Sequence, residues 1–105
     1  MSAQRHKVAA INFSTSGDNT VISAPASGGI TVTGITFTVA GATNITFKNG
    51  TTAQSGAIQF TAAGGALTLM EWDRGYYFAD AGNNFVMNSS NAVQVSGTIW
   101  YTQGG

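Results

Sequence analysis

Residues 30–39 read ITVTGITFTV, a stretch in which apolar and polar side chains alternate with a period of two. The apolar series includes Ile30 and Val32 and resumes at Ile35, so the alternation slips by one residue at Gly34. Period-two alternation is typical of a strand with one buried face, whereas a helix repeats every 3.6 residues. A glycine at such a slip is typical of a β-bulge, which bends a strand. We therefore predict a bent β-strand over this segment.

The same alternation recurs on both sides of this segment, with turn signals at intervals of about 8–12 residues. No apolar period of 3.6 residues holds over ten positions, so no helix is predicted. The Asn49-Gly50 pair predicts a hairpin turn of type I′, and residues 17–19 predict another turn. The other predicted strands cover residues 7–14, 20–24, 43–48, 57–61, 67–72, 76–79, 85–88 and 92–101. We therefore predict an all-β chain of eight or nine strands, folded as a sandwich or a closed barrel.

The composition is that of one small domain with very little charge. The chain has 105 residues, of which 43% are hydrophobic and 8% are charged, and its formal net charge is zero. A typical soluble domain has about 25% charged residues. A neutral chain lacks the basic field that holds nucleic acid or an anionic membrane surface. The absence of cysteine excludes a disulfide scaffold, a thiolate metal site and a cysteine nucleophile.

The N-terminal residues 1–7 form a predicted arm, and residues 8–105 a single predicted β-sandwich domain. The arm contains a cluster of positive charge at Arg5, His6 and Lys7. No apolar stretch of the length of a secretory signal or of a membrane span follows it. We therefore expect synthesis in a cytosol without a sequence-encoded route of export.

Two predicted strands, at residues 31–39 and 92–101, carry no charged residue. Strands at the edge of a sheet are normally protected from further pairing by lysine, inward-pointing charge or proline. If these strands lie at edges, either hydroxyl and amide groups keep them soluble or partner subunits cover them. We favour the second explanation and expect the protein to associate with other polypeptides.

Few residues are candidates for chemistry. Glu71 and Asp73 alternate along a predicted strand and offer two carboxylates for a glycosidase or a calcium site. The adjacent Arg74 favours a surface ion-pair group instead. His6 is the only histidine, and no accompanying motif suggests a metal site or a catalytic triad. We therefore predict no catalytic residue, no metal and no cofactor.

An aromatic cluster surrounds the turn at residues 73–75, with Trp72 on one side and Tyr76, Tyr77 and Phe78 on the other. Three consecutive aromatic residues in a strand cannot all face one side of a sheet. At least one therefore points outward or into an interface, where aromatic side chains bind proteins or stack on sugars. The candidate partner-contacting residues of the whole chain are Arg5, His6, Lys7, Trp72, Tyr76 and Tyr77.

Three stretches carry a family resemblance. Residues 17–20 read GDNT before a predicted strand, residues 40–51 read AGATNITFKNGT across the predicted hairpin, and residues 82–87 read GNNFVM. In this order and spacing they resemble small structural proteins of tailed bacteriophages and prophages, over roughly residues 11–101. The segment MEWD at residues 70–73 departs from the pattern of those proteins.

The resemblance implies a jelly-roll-like antiparallel β-sandwich of about eight strands, which decorates or cements a bacteriophage capsid. Such proteins bind the outer surface of the head and bridge neighbouring major capsid subunits. The implied partners are the major capsid protein and further copies of the chain, as a trimer first and a dimer second, without nucleic acid or membrane. The implied location is the virion surface, after synthesis in the cytoplasm of a host bacterium.

An alternative interpretation keeps the fold and the virion but assigns a sugar- or receptor-binding role in a head fibre or tail tip. It predicts that Trp72, Tyr76 or Tyr77 is exposed in a shallow groove, where a sugar ring stacks on it. A third interpretation, a small glycosidase, needs Glu71 and a second acid to converge in one cleft.

Overall fold

The structure, a computed structural model, describes residues 6–71 and 75–104. Within them ten strands and no helix are found, and the strands form two antiparallel sheets packed face to face. The predicted all-β antiparallel sandwich is confirmed. The strands are β1 (Lys7–Phe13), β2 (Gly17–Ile22), β3 (Gly29–Val39), β4 (Thr43–Asn49), β5 (Thr52–Ala53), β6 (Ile58–Phe60), β7 (Ala66–Met70), β8 (Tyr77–Ala79), β9 (Phe85–Ser89) and β10 (Val95–Gly104).

The strand order follows the jelly-roll arrangement. The first sheet, here called the β1 sheet, has the order β1-β10-β3, and β7 and β8 pair with successive parts of the remaining edge of β3. The second, the β2 sheet, has the order β2-β9-β4, and β5 and β6 both pair with β4. Each of these two pairs occupies the place of one strand, so the ten strands form eight positions in two four-membered sheets. Eight positions in two sheets are typical of a jelly roll.

The core lies between the inward faces of the two sheets. Phe37 of β3 meets Phe47 of β4 edge-on, with ring centroids 6.1 Å apart, and Phe47 stacks on Phe85 of β9 at the same distance. Offset and edge-to-face packing are the arrangements that aromatic rings prefer. The fully buried side chains, which include the whole inward series predicted from residues 30–39, are Phe37, Phe47, Phe85, Ile11, Ile30, Ile35, Ile45, Met87, Ile99, Val32, Val39 and Val95.

A bulge bends β3 at Thr33. Gly34 pairs with Trp100 and Val32 pairs with Tyr101, so Thr33 is the additional residue. The predicted slip in β3 is confirmed, with the extra residue directly before the glycine. The edge partner of β3 also changes here, because β7 pairs with β3 from residue 34 onward and β8 pairs with it up to residue 32.

Neither of the two uncharged strands lies at a sheet edge. β3 lies between β10 and the β7 and β8 pair, and β10 lies between β1 and β3. Both strands therefore have neighbours from the same chain on each side, and they need no charge to prevent further pairing. These two strands therefore give no reason to expect partner subunits.

Two predicted turns differ from the structure. β4 extends to Asn49, which pairs with Thr52, so the central residues of the hairpin are Gly50 and Thr51. Only glycines have positive φ among the described residues, and φ of Gly50 is 62°. A positive φ at the first central residue alone is typical of a type II′ turn, not the predicted type I′. Residues 17–19, predicted as a turn, are the start of β2.

Candidate functional site

The outer face of the β1 sheet carries hydroxyl side chains over part of its area. Thr36 of β3 pairs with Thr98 on one side and Thr68 on the other. The hydroxyl oxygens of Thr36 and Thr68 lie 2.8 Å apart and share a hydrogen bond. In the next row Ser96 pairs with Thr38. Such a surface satisfies its polar groups with its own side chains and with water, and it offers little apolar area for a partner to bury.

The row beyond these threonines is apolar. Across four strands it contains Val8, Trp100, Gly34 and Met70. Val8 is 61% exposed and Met70 is 40% exposed. A Cβ atom on Gly34 would lie 2.8 Å from the Met70 sulfur and 3.2 Å from the Trp100 ring. The glycine therefore leaves the space in which these two large side chains approach each other over the sheet.

Tyr76 and Phe78 extend the apolar area past the bulge. The main-chain nitrogen of Tyr76 donates to the Val32 carbonyl at 2.8 Å, and its hydroxyl donates to the Met70 carbonyl at 3.2 Å. Phe78 pairs with Thr31 of β3 on the same outer face. Tyr76 is 44% exposed and Phe78 is 50% exposed. Backbone hydrogen bonds thus hold both residues in place, while both rings remain exposed to solvent.

Gln54, which follows β5, holds the backbone of Phe78 from the other sheet. The Phe78 nitrogen donates to Gln54 Oε1 at 3.1 Å, and Gln54 Nε2 donates to the Phe78 carbonyl at 2.7 Å. We call Val8, Met70, Tyr76 and Phe78 the apolar patch. They are the large hydrophobic side chains that are exposed among residues 6–71 and 75–104. They all lie on the outer face of the β1 sheet or in the turn beside it.

Of the aromatic residues predicted to contact partners, one lies at the surface and one lies against the core. Trp72 and Arg5 lie outside the described residues. Tyr76 lies in the apolar patch, but Tyr77 turns inward and stacks on Phe47, with ring centroids 4.5 Å apart. This partial burial raises the pKa of the Tyr77 hydroxyl above its ordinary value. The prediction that at least one of the three consecutive aromatic residues faces outward is confirmed, and Tyr77 belongs to the core.

The basic residues of the predicted arm lie beside the patch. His6 is exposed, and its Nδ1 lies 2.8 Å from the hydroxyl oxygen of Thr33 at the bulge. Lys7 is exposed and begins β1, opposite Tyr101, where the strand over residues 7–14 was predicted to begin. Lys7 and Val8 are consecutive in β1, so their side chains point to opposite faces of the strand.

The structure describes only part of the predicted acidic group. The Glu71 nitrogen donates to the Thr33 carbonyl at 2.7 Å, while Asp73 and Arg74 lie outside the described residues. In the described part of the chain, no three His, Asp or Glu residues form a group that could hold a metal ion. The same residues contain no helix that is long and apolar enough to span a membrane.

A groove of about 350 Å³ lies on the outer face of the β2 sheet, on the other side of the sandwich from the patch. Its floor contains Val86 of β9, which is paired with Thr20 of β2. Its walls are the hairpin turn at residues 50–52 and the turn at residues 82–84, and Asp18 lies at one end. No aromatic residue lines it. It therefore differs from the aromatic sugar site of the alternative interpretation.

Asp18 lies at the end of the groove, and a neighbouring lysine compensates the charge of its carboxylate. Lys48 Nζ donates to its two oxygens at 3.0 and 2.9 Å, and Asn88 Nδ2 donates to Oδ1 at 2.8 Å. The hydrogen bond from Asn88, followed by that from Lys48, lowers the pKa of the Asp18 carboxyl below its ordinary value. The group is therefore ionised at neutral pH, and the Lys48 ammonium compensates its charge.

Asn49 connects the two walls of the groove. Its Oδ1 accepts hydrogen bonds from the Asp80 nitrogen at 3.0 Å and from Asn83 Nδ2 at 2.9 Å. Its Nδ2 donates to the Asp80 carboxylate at 2.9 Å. The Gly50 nitrogen also donates to the Asn84 carbonyl at 2.9 Å. Four hydrogen bonds thus hold the turns in one relative position.

Sequence reasoning did not identify this groove, because its residues appear in the sequence only as separate turn signals. No protein-family model, curated protein or solved structure matches the chain. The two surfaces described above, the apolar patch and the polar groove, are therefore the basis on which a function is assigned.

Proposed function

We propose that this protein is a bacteriophage capsid decoration, or cement, protein that binds the outer surface of the head and bridges major capsid subunits. The observation that carries the proposal is the apolar patch, which collects the exposed large hydrophobic side chains of the described residues on one side of the sandwich. Contiguous exposed apolar area marks interaction sites on soluble proteins. Its burial contributes roughly 25 cal/mol for each Å² removed from water.

The sequence resemblance supports the same proposal. The motifs that resemble phage structural proteins extend over roughly residues 11–101, which includes most of the sandwich. A decoration protein needs no catalytic group, and its task requires only a rigid fold and a surface that binds the capsid. The jelly-roll sandwich supplies the rigid fold, and the apolar patch supplies the binding surface.

The proposed mechanism is stabilisation by selective binding. A protein that binds the assembled lattice and not its free subunits adds its binding free energy to the stability of the lattice. Copies that contact two neighbouring subunits act multivalently, so weak individual contacts suffice. Apolar burial is little affected by salt, whereas surface ion pairs are screened. The near absence of charge suits attachment under variable ionic conditions.

Positive charge at the start of β1 supplies orientation. His6 and Lys7 are exposed at the end of the sheet that carries Val8, and Arg5 precedes them in the sequence. We propose that these residues face an acidic area of the major capsid protein. Complementary charge chiefly increases the association rate and selects the partner. We further propose that the protein associates with itself on the head, as a trimer first and a dimer second.

Co-sedimentation with expanded capsids of the same phage tests the proposal. The purified chain should pellet with expanded capsids and raise the temperature at which they dissociate. Replacing Met70 and Phe78 together by serine should weaken binding at least tenfold, which corresponds to a loss of about 1.4 kcal/mol. Thr38→Ala, at a polar exposed position of the same sheet face, is the matched control and should bind like the unaltered chain.

Two results would refute the proposal. The first is a chain that neither pellets with expanded capsids nor changes their stability. The second is a folded Met70→Ser, Phe78→Ser variant that binds as tightly as the Thr38→Ala control. Thermal unfolding of both variants shows whether they are folded, because exposed positions of this kind change stability by about 0.5 kcal/mol only.

Removal of residues 1–5 should reduce the association rate more than it increases the dissociation rate.

A further inference from the structure

We propose that the groove on the β2 sheet is a binding site for a neutral saccharide. The site is distinct from the apolar patch, because it lies on the opposite outer face of the sandwich. It does not depend on capsid attachment, so the two proposals fail or succeed separately.

The shape of the groove is fixed before any ligand arrives. Its two walls are joined through Asn49, which binds Asp80 and Asn83, and through the backbone bond from Gly50 to Asn84. A Cβ atom on Gly50 would lie 3.1 Å from the side chain of Asn83, so the walls are closely packed. A site that is already ordered loses less conformational entropy when it binds a ligand. Its volume, about 350 Å³, fits a small molecule.

The charge of the groove favours a neutral ligand. The only ionisable group in its lining is Asp18, and Lys48 contacts both of its carboxylate oxygens. A metal cation would have to compete with that ammonium group for the carboxylate. An anion would meet the carboxylate itself, with no unpaired basic group in the lining to attract it. A ligand without charge avoids both penalties and still finds a strong hydrogen-bond acceptor.

The groove presents unused hydrogen-bonding groups of both kinds. Among the described residues, the hydroxyls of Thr20, Thr51 and Thr52 make no side-chain hydrogen bond. Asn83 uses its Nδ2 and leaves Oδ1 available, whereas Asn84 accepts through Oδ1 and leaves Nδ2 available. Hydroxyls both donate and accept, and the two amides supply one acceptor and one donor. A sugar ring carries hydroxyls that complement such a set.

The floor of the groove completes the match. Val86 lines it and is 5% exposed, so a small apolar surface lies between the polar walls. Ligand sites usually combine an apolar base with a few polar groups that set the orientation of the ligand. The C–H face of a pyranose ring can cover Val86 while its hydroxyls reach the walls.

Nuclear magnetic resonance titration of the ¹⁵N-labelled full chain tests the proposal. The probes are glucose, galactose, N-acetylglucosamine and methyl mannoside, each added to about 50 mM, well above a Kd of about 1 mM. We expect at least one of them to shift the backbone amide of Gly50 and the side-chain amides of Asn83 and Asn84. Signals from the β1 sheet should stay in place.

Matched threonine variants locate the site. Thr20→Val keeps the shape of the side chain and its preference for a strand, and it removes only the hydroxyl. It should weaken binding of the saccharide that the unaltered chain binds at least threefold, and Asp18→Asn should weaken that binding at least tenfold. Thr38→Val, on the other sheet, should leave the affinity unchanged. Equal affinity of Thr20→Val and Thr38→Val would overturn the assignment. So would the absence of groove shifts with all four sugars, or groove shifts produced by calcium chloride and by none of them.

Discussion

The ring of Tyr77 stacks on the ring of Phe47, with centroids 4.5 Å apart and planes inclined by 27°. The two residues belong to different sheets, since Tyr77 lies in β8 of the β1 sheet and Phe47 in β4 of the β2 sheet. β8 has only three residues, and three residue pairs connect it to β3. The stacked ring therefore fixes this short strand to the core, and it holds the neighbouring exposed residues, Tyr76 and Phe78, at the surface.

Replacement of Tyr77 should destabilise the whole sandwich. We expect Tyr77→Ala to lower the free energy of unfolding by about 2–4 kcal/mol, because it removes a half-buried ring from the inter-sheet contact. Tyr77→Phe keeps the ring and should change it by less than about 1 kcal/mol. Urea denaturation of the three proteins measures the difference. Equal destabilisation by both variants would show that the hydroxyl, and not the stacked ring, is the stabilising group.

Tyr77 should also make stability depend on pH in alkaline solution. Burial raises its pKa, so the folded state holds the phenolic proton more tightly than the unfolded state does. The resulting stability is fully present below the unfolded pKa of about 10 and is lost as the pH rises through the higher folded value. Denaturant titrations between pH 8 and 11 should show a steeper decline for the unaltered chain than for Tyr77→Phe. Identical slopes would contradict the assignment.

Gly97 should tolerate no side chain. It lies in β10 opposite Phe37, and a Cβ atom there would collide with the Thr36 carbonyl oxygen and with the Phe37 Cα atom. The contacts are with backbone, so relief requires the two central strands to separate. We expect Gly97→Ala to cost at least about 3 kcal/mol. Gly56→Ala is the matched control, because nothing lies within 4 Å of its added atom. Its melting temperature should equal that of the unaltered chain.

Asp18 should contribute to stability above its unfolded pKa and not below it. Its pKa is lowered in the folded state, so the contribution is present above about pH 3.9 and is lost as the pH falls through the folded value. The Asp18–Lys48 pair is partly exposed, and solvent screening limits its effect to about 1 kcal/mol or less. Asp18→Asn should therefore be slightly less stable at pH 6, and the difference should shrink as the pH falls below about 3.9. A difference that does not change with pH would show that charge is not the cause.

Local patterns in the sequence were sufficient to predict most strands. Whether a side chain faces inward depends on its own strand, so the alternation along residues 30–39 identified the buried face of β3 and the slip beside Gly34. The strand missed by the sequence analysis, β5, has two residues and is too short for any alternation to appear. The hairpin at Asn49-Gly50 was predicted, but its turn lies one residue later and is of another type, because both depend on where pairing with β5 begins.

Strand neighbours could not be predicted, because they depend on residues far apart in the chain. The Thr33 hydroxyl donates to the Trp100 carbonyl across 67 positions of sequence. No local pattern indicates that β10 and β3 lie side by side, so the sequence did not show whether either strand lies at an edge. The groove was missed for the same reason. Asp18, Asn49 and Asn83 come from three segments that only the order β2-β9-β4 brings together.

The two edges of the β1 sheet differ in a way that bears on polymerisation. One edge is β1, seven residues paired without interruption to β10, and the other is shared by β7 with five residues and β8 with three. An added strand needs a continuous row of donors and acceptors, which β1 presents and the divided edge does not. Stacking of β1 sheets through β1 therefore closes after two molecules, because each β1 sheet has one continuous edge. A filament would require both edges, so the division between β7 and β8 limits uncontrolled growth at high concentration.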